Sequence, residues 1–175
     1  MKESNNNQFN HFKIHTQYSI CEGALKIEQL KNFCKTNKIK TLGLSDSHNL
    51  SGALEFSEYL SAVGTQPIIG TQITFKYKDT FGSIPLIAKN IKGYKNIIEL
   101  SSKSYLENNE LTDPHCLFED LIDRKEGIIV LSGSINGLIG NLFNKGLFND
   151  VEIIYKKLSN IFVENFYLEI QRHND

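Results

Sequence analysis

An α/β fold, with strands followed by covering helices around a parallel sheet, is predicted by three observations. Strand-like and helix-like periodicities alternate along the chain. Neither an internal repeat nor a linker divides its 175 residues. The polar residues His15, Asp46, Gln72, Ser134 and His173 fall at or just past the C-terminal ends of strand candidates. An open doubly wound sheet satisfies the first two observations; the third favours part of a strand-and-helix barrel, whose active sites collect at that end.

The first candidate strand, Phe9 to Ile14, is a short apolar alternation ending at His15, and the polar residues 1–8 before it read as a flexible lead-in. Gly23 breaks the chain before a helix from Ala24 to Cys34, whose apolar residues Ile27, Leu30 and Cys34 share one face. Thr41 to Leu44 is a buried strand that ends in the cluster Ser45-Asp46-Ser47-His48-Asn49. Ser51 is placed to cap the next helix, which Gly64 stops. Pro67 to Phe75 and Pro85 to Ala88 read as a strand pair joined by a turn over Lys76 to Gly82.

A helix follows from Gly93 to Leu106, then an irregular stretch to His115 and a short helix from Leu117 to Ile122. Ile128 to Leu131 is the clearest β-branched strand. Beyond Ser132-Gly133-Ser134 come helices from Gly137 to Asn144 and from Asp150 to Ile161, and a last strand from Phe166 to Ile170.

Composition excludes several classes. The net charge of -1 lacks the basic footprint that nucleic-acid backbones select, so any nucleic acid near this chain is gripped by another domain. No apolar run is long enough to cross a bilayer, and the N-terminus lacks a secretory core. Three widely spaced cysteines, Cys21, Cys34 and Cys116, fit neither a disulfide framework nor a zinc knuckle, which points to a reducing, cytoplasmic setting. Phosphate-cradling glycine loops, nucleophile elbows and His-Glu-x-x-His helices are absent from the sequence.

The residues with ligand chemistry are few. On a regular strand His11, Lys13 and His15 would share one face, a metal pocket were Lys13 a histidine; its ammonium instead opposes a divalent ion and pairs with a carboxylate. The same spacing also suits a polar strand end with two unrelated histidines. Asp46 and His48 can hold zinc or manganese or work as acid and base, but an aspartate here can equally cap the following helix. Glu22 is ambiguous in the same way, and Gln72 either binds a substrate amide or fills a half-buried strand position.

The string His11-Phe12-Lys13-Ile14-His15-Thr16-Gln17-Tyr18-Ser19 with Glu22-Gly23-Ala24, and the string Leu44-Ser45-Asp46-Ser47-His48-Asn49-Leu50-Ser51-Gly52-Ala53, resemble the polymerase-and-histidinol-phosphatase (PHP) domain that opens bacterial DNA polymerase III alpha subunits. Gln66 to Gly70, Leu86 to Asn90, Gly93 to Asn96, Gly127 to Gly133 and Phe166 to Gln171 with His173 continue the resemblance in order. It implies an irregular seven-stranded (β/α) barrel of which residues 9–175 are the N-terminal part, without its last strands. The open edge would leave the fragment marginally stable or self-associating.

In metal-binding members of that family, histidines, acids and a cysteine at strand ends surround a metal cluster. Carried over by resemblance, the positions here are His11, His15, Glu22, Asp46, His48 and His173. The pattern is broken at Lys13, where the first histidine of a His-x-His pair is expected, and at Ser47, where a histidine follows the aspartate. It is broken again at Gln72 for a glutamate and at Ser134 for a cysteine. The resemblance therefore implies a metal-free, catalytically degenerate scaffold for the proofreading exonuclease subunit and other replicase subunits.

The parent would be a DNA-directed DNA polymerase, a nucleotidyltransferase of DNA replication, whose magnesium site and DNA contacts lie in other domains. The alternative is an active metal-dependent phosphoesterase or 3′-5′ exonuclease that uses zinc or manganese at His11, His15, Asp46 and His48, with metal-activated water as nucleophile. A free-standing small phosphatase is a third reading.

Overall fold

A computed structural model describes residues 9–107 and 113–170. Its elements are α1 (Ile27–Asn37), β1 (Thr41–Ser47), α2 (Ala53–Ser61), β2 (Gln66–Tyr77), β3 (Thr80–Ala88), α3 (Ile91–Leu106), β4 (Cys116–Leu117), α4 (Phe118–Asp123), β5 (Ile128–Leu131), α5 (Leu138–Asn144), α6 (Phe148–Phe162) and β6 (Phe166–Tyr167). They form the predicted α/β fold around one six-stranded sheet in the order β1-β2-β3-β5-β6. β4 pairs with β2 at Phe75 and Lys76, beyond the point where β1 ends. The β1–β2 and β5–β6 pairs are parallel, whereas β3 runs antiparallel to both β2 and β5.

The β2–β3 hairpin is longer and tighter than its sequence suggests. Its strands pair from Gly70↔Ile87 to Tyr77↔Thr80, so Lys78 and Asp79 alone make the turn, with Lys78 at φ 51°. Alternation carries through Lys76 and Gly82, which looked like loop residues because Lys and Gly are poor strand formers. Tertiary pairing overrides that preference.

The first candidate strand is corrected. Residues 9–14 make isolated contacts in place of a ladder: Ile14 bridges Leu44, and past it Thr16 bridges Leu25. The Gly43 N–H donates to the His11 carbonyl at 2.7 Å and the Ser45 N–H to the Ile14 carbonyl at 2.8 Å. Two steps along β1 thus span three along the first segment, an offset like a β-bulge that interrupts the alternation of side chains. A Cβ on Gly43 would lie 2.6 Å from the Phe12 Cα, so the close approach of the two backbones requires glycine there.

Other boundaries shift for local reasons. β1 continues through Ser47, because Asp46 is held as part of the strand. The N-cap of α2 is Gly52, with no side-chain cap, so neither Ser51 nor Asp46 caps it. Asn90 caps α3 instead, accepting a hydrogen bond from the Gly93 N–H at 2.9 Å. The final strand pairs only at Phe166 and Tyr167, although the Ser132 N–H donates to the Tyr167 carbonyl and the Glu169 N–H to Ser132 Oγ beyond it. His173 lies outside the described residues.

Two apolar clusters hold the layers. The larger joins Ile73, Phe75, Ile84, Leu86 and Val130 of the sheet to α3, α4, α5 and α6 through residues such as Ile97, Phe118, Leu138 and Leu158. The smaller packs Leu42 and Leu44 of β1 against Ile27 and Leu30 of α1 and Phe56 and Leu60 of α2. Since Ile14 meets β1 on the edge away from β2, the first segment and β6 are the outermost members of the curved sheet. Backbone pairing does not join these two ends; among the described residues the barrel is open.

Candidate functional site

Asp46 is fully buried in β1, and its position is set by the turn that follows the first segment. The Thr16 N–H reaches Oδ1 at 2.6 Å, the Thr16 hydroxyl reaches Oδ2 at 2.7 Å and the Ser19 hydroxyl reaches Oδ1 at 2.7 Å. Three donors on one carboxylate compensate its burial. They also tie the 15–23 loop to the sheet.

His15 stands beside this carboxylate. Its Nε2 lies 2.8 Å from the Gln72 side-chain amide nitrogen, while its Nδ1 faces Ser19 Oγ at 3.3 Å and Glu22 Oε2 at 3.5 Å. Ser19 gives its proton to Asp46, and the Ser47 hydroxyl donates to Glu22. The network is therefore satisfied when Nδ1 carries a proton toward Ser19 and Glu22 and the Nε2 lone pair accepts from Gln72. Gln72 lies inside β2 rather than at its end, but in register with Ser47, where β1 stops. The strand-end position expected for Gln72 is therefore corrected: it is a mid-strand residue brought beside the end of β1.

His48 follows β1 at φ 61°. Its backbone N–H donates to the Gln72 carbonyl at 2.8 Å, and its Nε2 contacts the Thr74 hydroxyl at 3.2 Å. Nδ1 is buried with no partner among the described residues. Burial lowers the pKa of this imidazole, against the weaker opposing fields of Glu22 and Asp113. With Glu22, Thr74, Phe81 and His115 it lines a cavity of about 620 Å³.

The remaining candidates are elsewhere. The offset against β1 breaks the expected common face: Lys13 reaches Glu169, with Nζ 2.9 Å from Oε1. His11 packs edge-on to Phe9, and both His11 and Lys13 line a separate cavity of about 820 Å³ with Ile87, Leu131 and Leu168. Among the described residues Ser134 has only local hydrogen bonds, accepting from the Gly137 and Asn136 N–H groups. The structure thus unites His15, Glu22, Asp46, Ser47 and Gln72, sets His48 at their border and separates His11, Lys13 and Ser134.

Sequence reasoning missed Thr16, Ser19 and Glu169, which hold the key groups. Hydroxyls next to a candidate histidine were the available signal for the first two; Glu169 gave none.

A metal centre needs several free lone pairs converging on one point. Here the Asp46 oxygens accept three hydrogen bonds and the Nε2 of His15 accepts one from Gln72. Among the described residues no group of three or more His, Cys, Asp or Glu side chains is arranged to hold an ion. The donors present do not fit a metal cluster.

The PHP domain family model matches residues 11–173. The DNA polymerase III subunit alpha of Rickettsia felis is 38% identical over 168 residues, covering 95% of this chain and 14% of that protein. The corresponding subunit of Caulobacter vibrioides is 34% identical over 182 residues, covering 99% of this chain and 16% of that protein. The chain therefore spans about one-seventh of the length of these relatives. A solved amidohydrolase from Chromobacterium violaceum, with bound sulfate and no metal, aligns at 12% identity and a TM-score of 0.43 over 84% of this chain and 54% of that chain. No helix among the described residues is long and apolar enough to cross a membrane. Matched over residues 11–173, nearly all of its length, the chain belongs to the PHP domain family.

Proposed function

We propose that this PHP domain is part of a replicative DNA polymerase III alpha subunit and serves there as a metal-free scaffold. Its partner is the proofreading exonuclease subunit of a cytoplasmic replicase, while other parts of the polypeptide carry DNA binding and magnesium-dependent nucleotidyl transfer. The parent assignment is supported by the alpha-subunit relatives, which match 95% or more of the chain. The observation that carries the scaffold reading is the hydrogen bond from Gln72 to His15 Nε2, which occupies the lone pair a metal would need. Asp46 is likewise committed to Thr16 and Ser19.

Two measurements test the reading on the full-length alpha subunit. Elemental analysis after dialysis is expected to find no stoichiometric zinc or manganese attributable to this domain, as judged against the subunit with the domain deleted. The same deletion is expected to abolish capture of the exonuclease subunit. Stoichiometric metal, together with hydrolysis of a phosphodiester that Asp46→Asn abolishes, would establish the phosphoesterase reading instead. Restoring ligands beside His15 and Asp46 in a Ser47→His, Gln72→Glu variant is expected to give metal uptake that the parent chain lacks.

A further inference from the structure

We infer that Lys13 and Glu169 form an ionic clasp that closes the open side of the sheet, a cation supplied by the protein at the place where the family resemblance expects a ligand histidine. The inference rests on the metal-free reading above and concerns what holds the two ends of the sheet together without an ion.

The first segment lies outside β1, and Glu169 follows β6 at the opposite end of the strand order. Although 156 residues separate them, Lys13 Nζ approaches Glu169 Oε1 to 2.9 Å. The two side chains are only 21% and 11% exposed, so the pair is shielded far more than an ordinary surface ion pair. The chain on either side is fixed: His11 and Ile14 accept hydrogen bonds from β1, and the Glu169 N–H donates to Ser132 Oγ. Both charges therefore sit on anchored backbone.

The cavity of about 820 Å³ explains why the pair matters. Its walls come from the first segment on one side and from residues 167–170 on the other, with Ile68, Ile87 and Ile129 on its floor. The clasp spans this gap between sheet ends that share no backbone ladder. A neutral histidine at position 13 could not neutralise Glu169, and a lysine cannot ligate a metal while protonated. Lys13 thus supplies the cross-link between the two sheet ends.

The test is a double-mutant cycle on the 175-residue chain, read as Tm with chelator and again with added zinc. Lys13→Met is expected to lower Tm by about 4–8 °C, because it removes the shielded ion pair that links the two sheet ends. Lys13→Arg should stay within about 2 °C of the parent, and Lys13→Met/Glu169→Leu should recover most of the loss. If Lys13→Met does not fold, Glu169→Gln against Lys13→Met/Glu169→Gln supplies the comparison. Losses that simply add, or a Lys13→Met chain as stable as the parent, would overturn the clasp. A chelator-induced fall in the Tm of the parent chain would instead overturn the metal-free reading, leaving the cycle to judge the clasp separately.

Discussion

Asp46 accepts hydrogen bonds from Thr16 and Ser19 while fully buried, so its charge organises a loop. Asp46→Asn turns one acceptor into a donor facing those donors and is expected to cost about 2–3 kcal/mol in urea unfolding. An unchanged midpoint would refute the structural role. His48 gives a pH dependence of definite sign. Its folded-state pKa lies below the ordinary value of about 6.5, so as pH falls the unfolded chain takes up the proton first. The stabilisation is present above that value and is lost as pH drops toward the folded-state pKa. Between pH 7.5 and 5 the parent should lose more stability than His48→Asn, a residue that also accepts the positive φ; parallel curves would exclude the effect.

The thiols follow the same logic of burial. Burial, aided by the Asp120 charge, pushes Cys116 up to about 12, and burial raises Cys34, while Cys21 is exposed. A thiol reagent on native protein is expected to modify Cys21 alone, with the other two reacting after unfolding. His15, Glu22, Asp46 and Gln72, each singled out in the sequence, come together in the fold. The donors that hold Asp46 were not legible, since Thr16 and Ser19 look like ordinary loop polar residues until the chain folds.

At the scale of elements, regular periodicity was the part that could be read. β5 lies at Ile128–Leu131 as its β-branched run predicts, and α3 and α6 follow their apolar faces to within a few residues. β4, two residues paired to the far end of β2, is too short to have any period. The first segment deceived the period-two rule because its offset against β1 depends on a long-range contact. Gly43→Ala should force that segment off β1 and cost about 2–3 kcal/mol, measured by chemical denaturation. Where α6 ends, Val163 is held at φ 40°, ψ -105°, which a β-branched residue adopts only under strain. Val163→Gly is expected to stabilise the chain by about 1 kcal/mol, and a lower Tm would contradict the strain.

For the whole molecule, periodicity predicted the α/β class and the family resemblance implied a sheet left open at its C-terminal side; among the described residues no backbone pairing closes it. What bridges the open side depends on two side chains far apart in sequence. Beyond the clasp, Tyr167, Leu168 and Ile170 remain exposed next to the free edge of β6. The isolated chain is therefore expected to be marginally stable or to self-associate. Sedimentation over a range of concentrations together with a thermal melt decides this: a monomer with a high Tm would contradict it.

The β2–β3 hairpin, joined by only Lys78 and Asp79, brings together residues close in sequence. Closing such a short loop is fast, whereas uniting residues 13 and 169 requires nearly the entire chain to be in place. The hairpin is thus the natural nucleus for folding, and the two ends of the sheet meet late. Changes in the hairpin should slow refolding, while changes at the sheet ends should appear mainly as faster unfolding, leaving the rate of structure acquisition almost untouched.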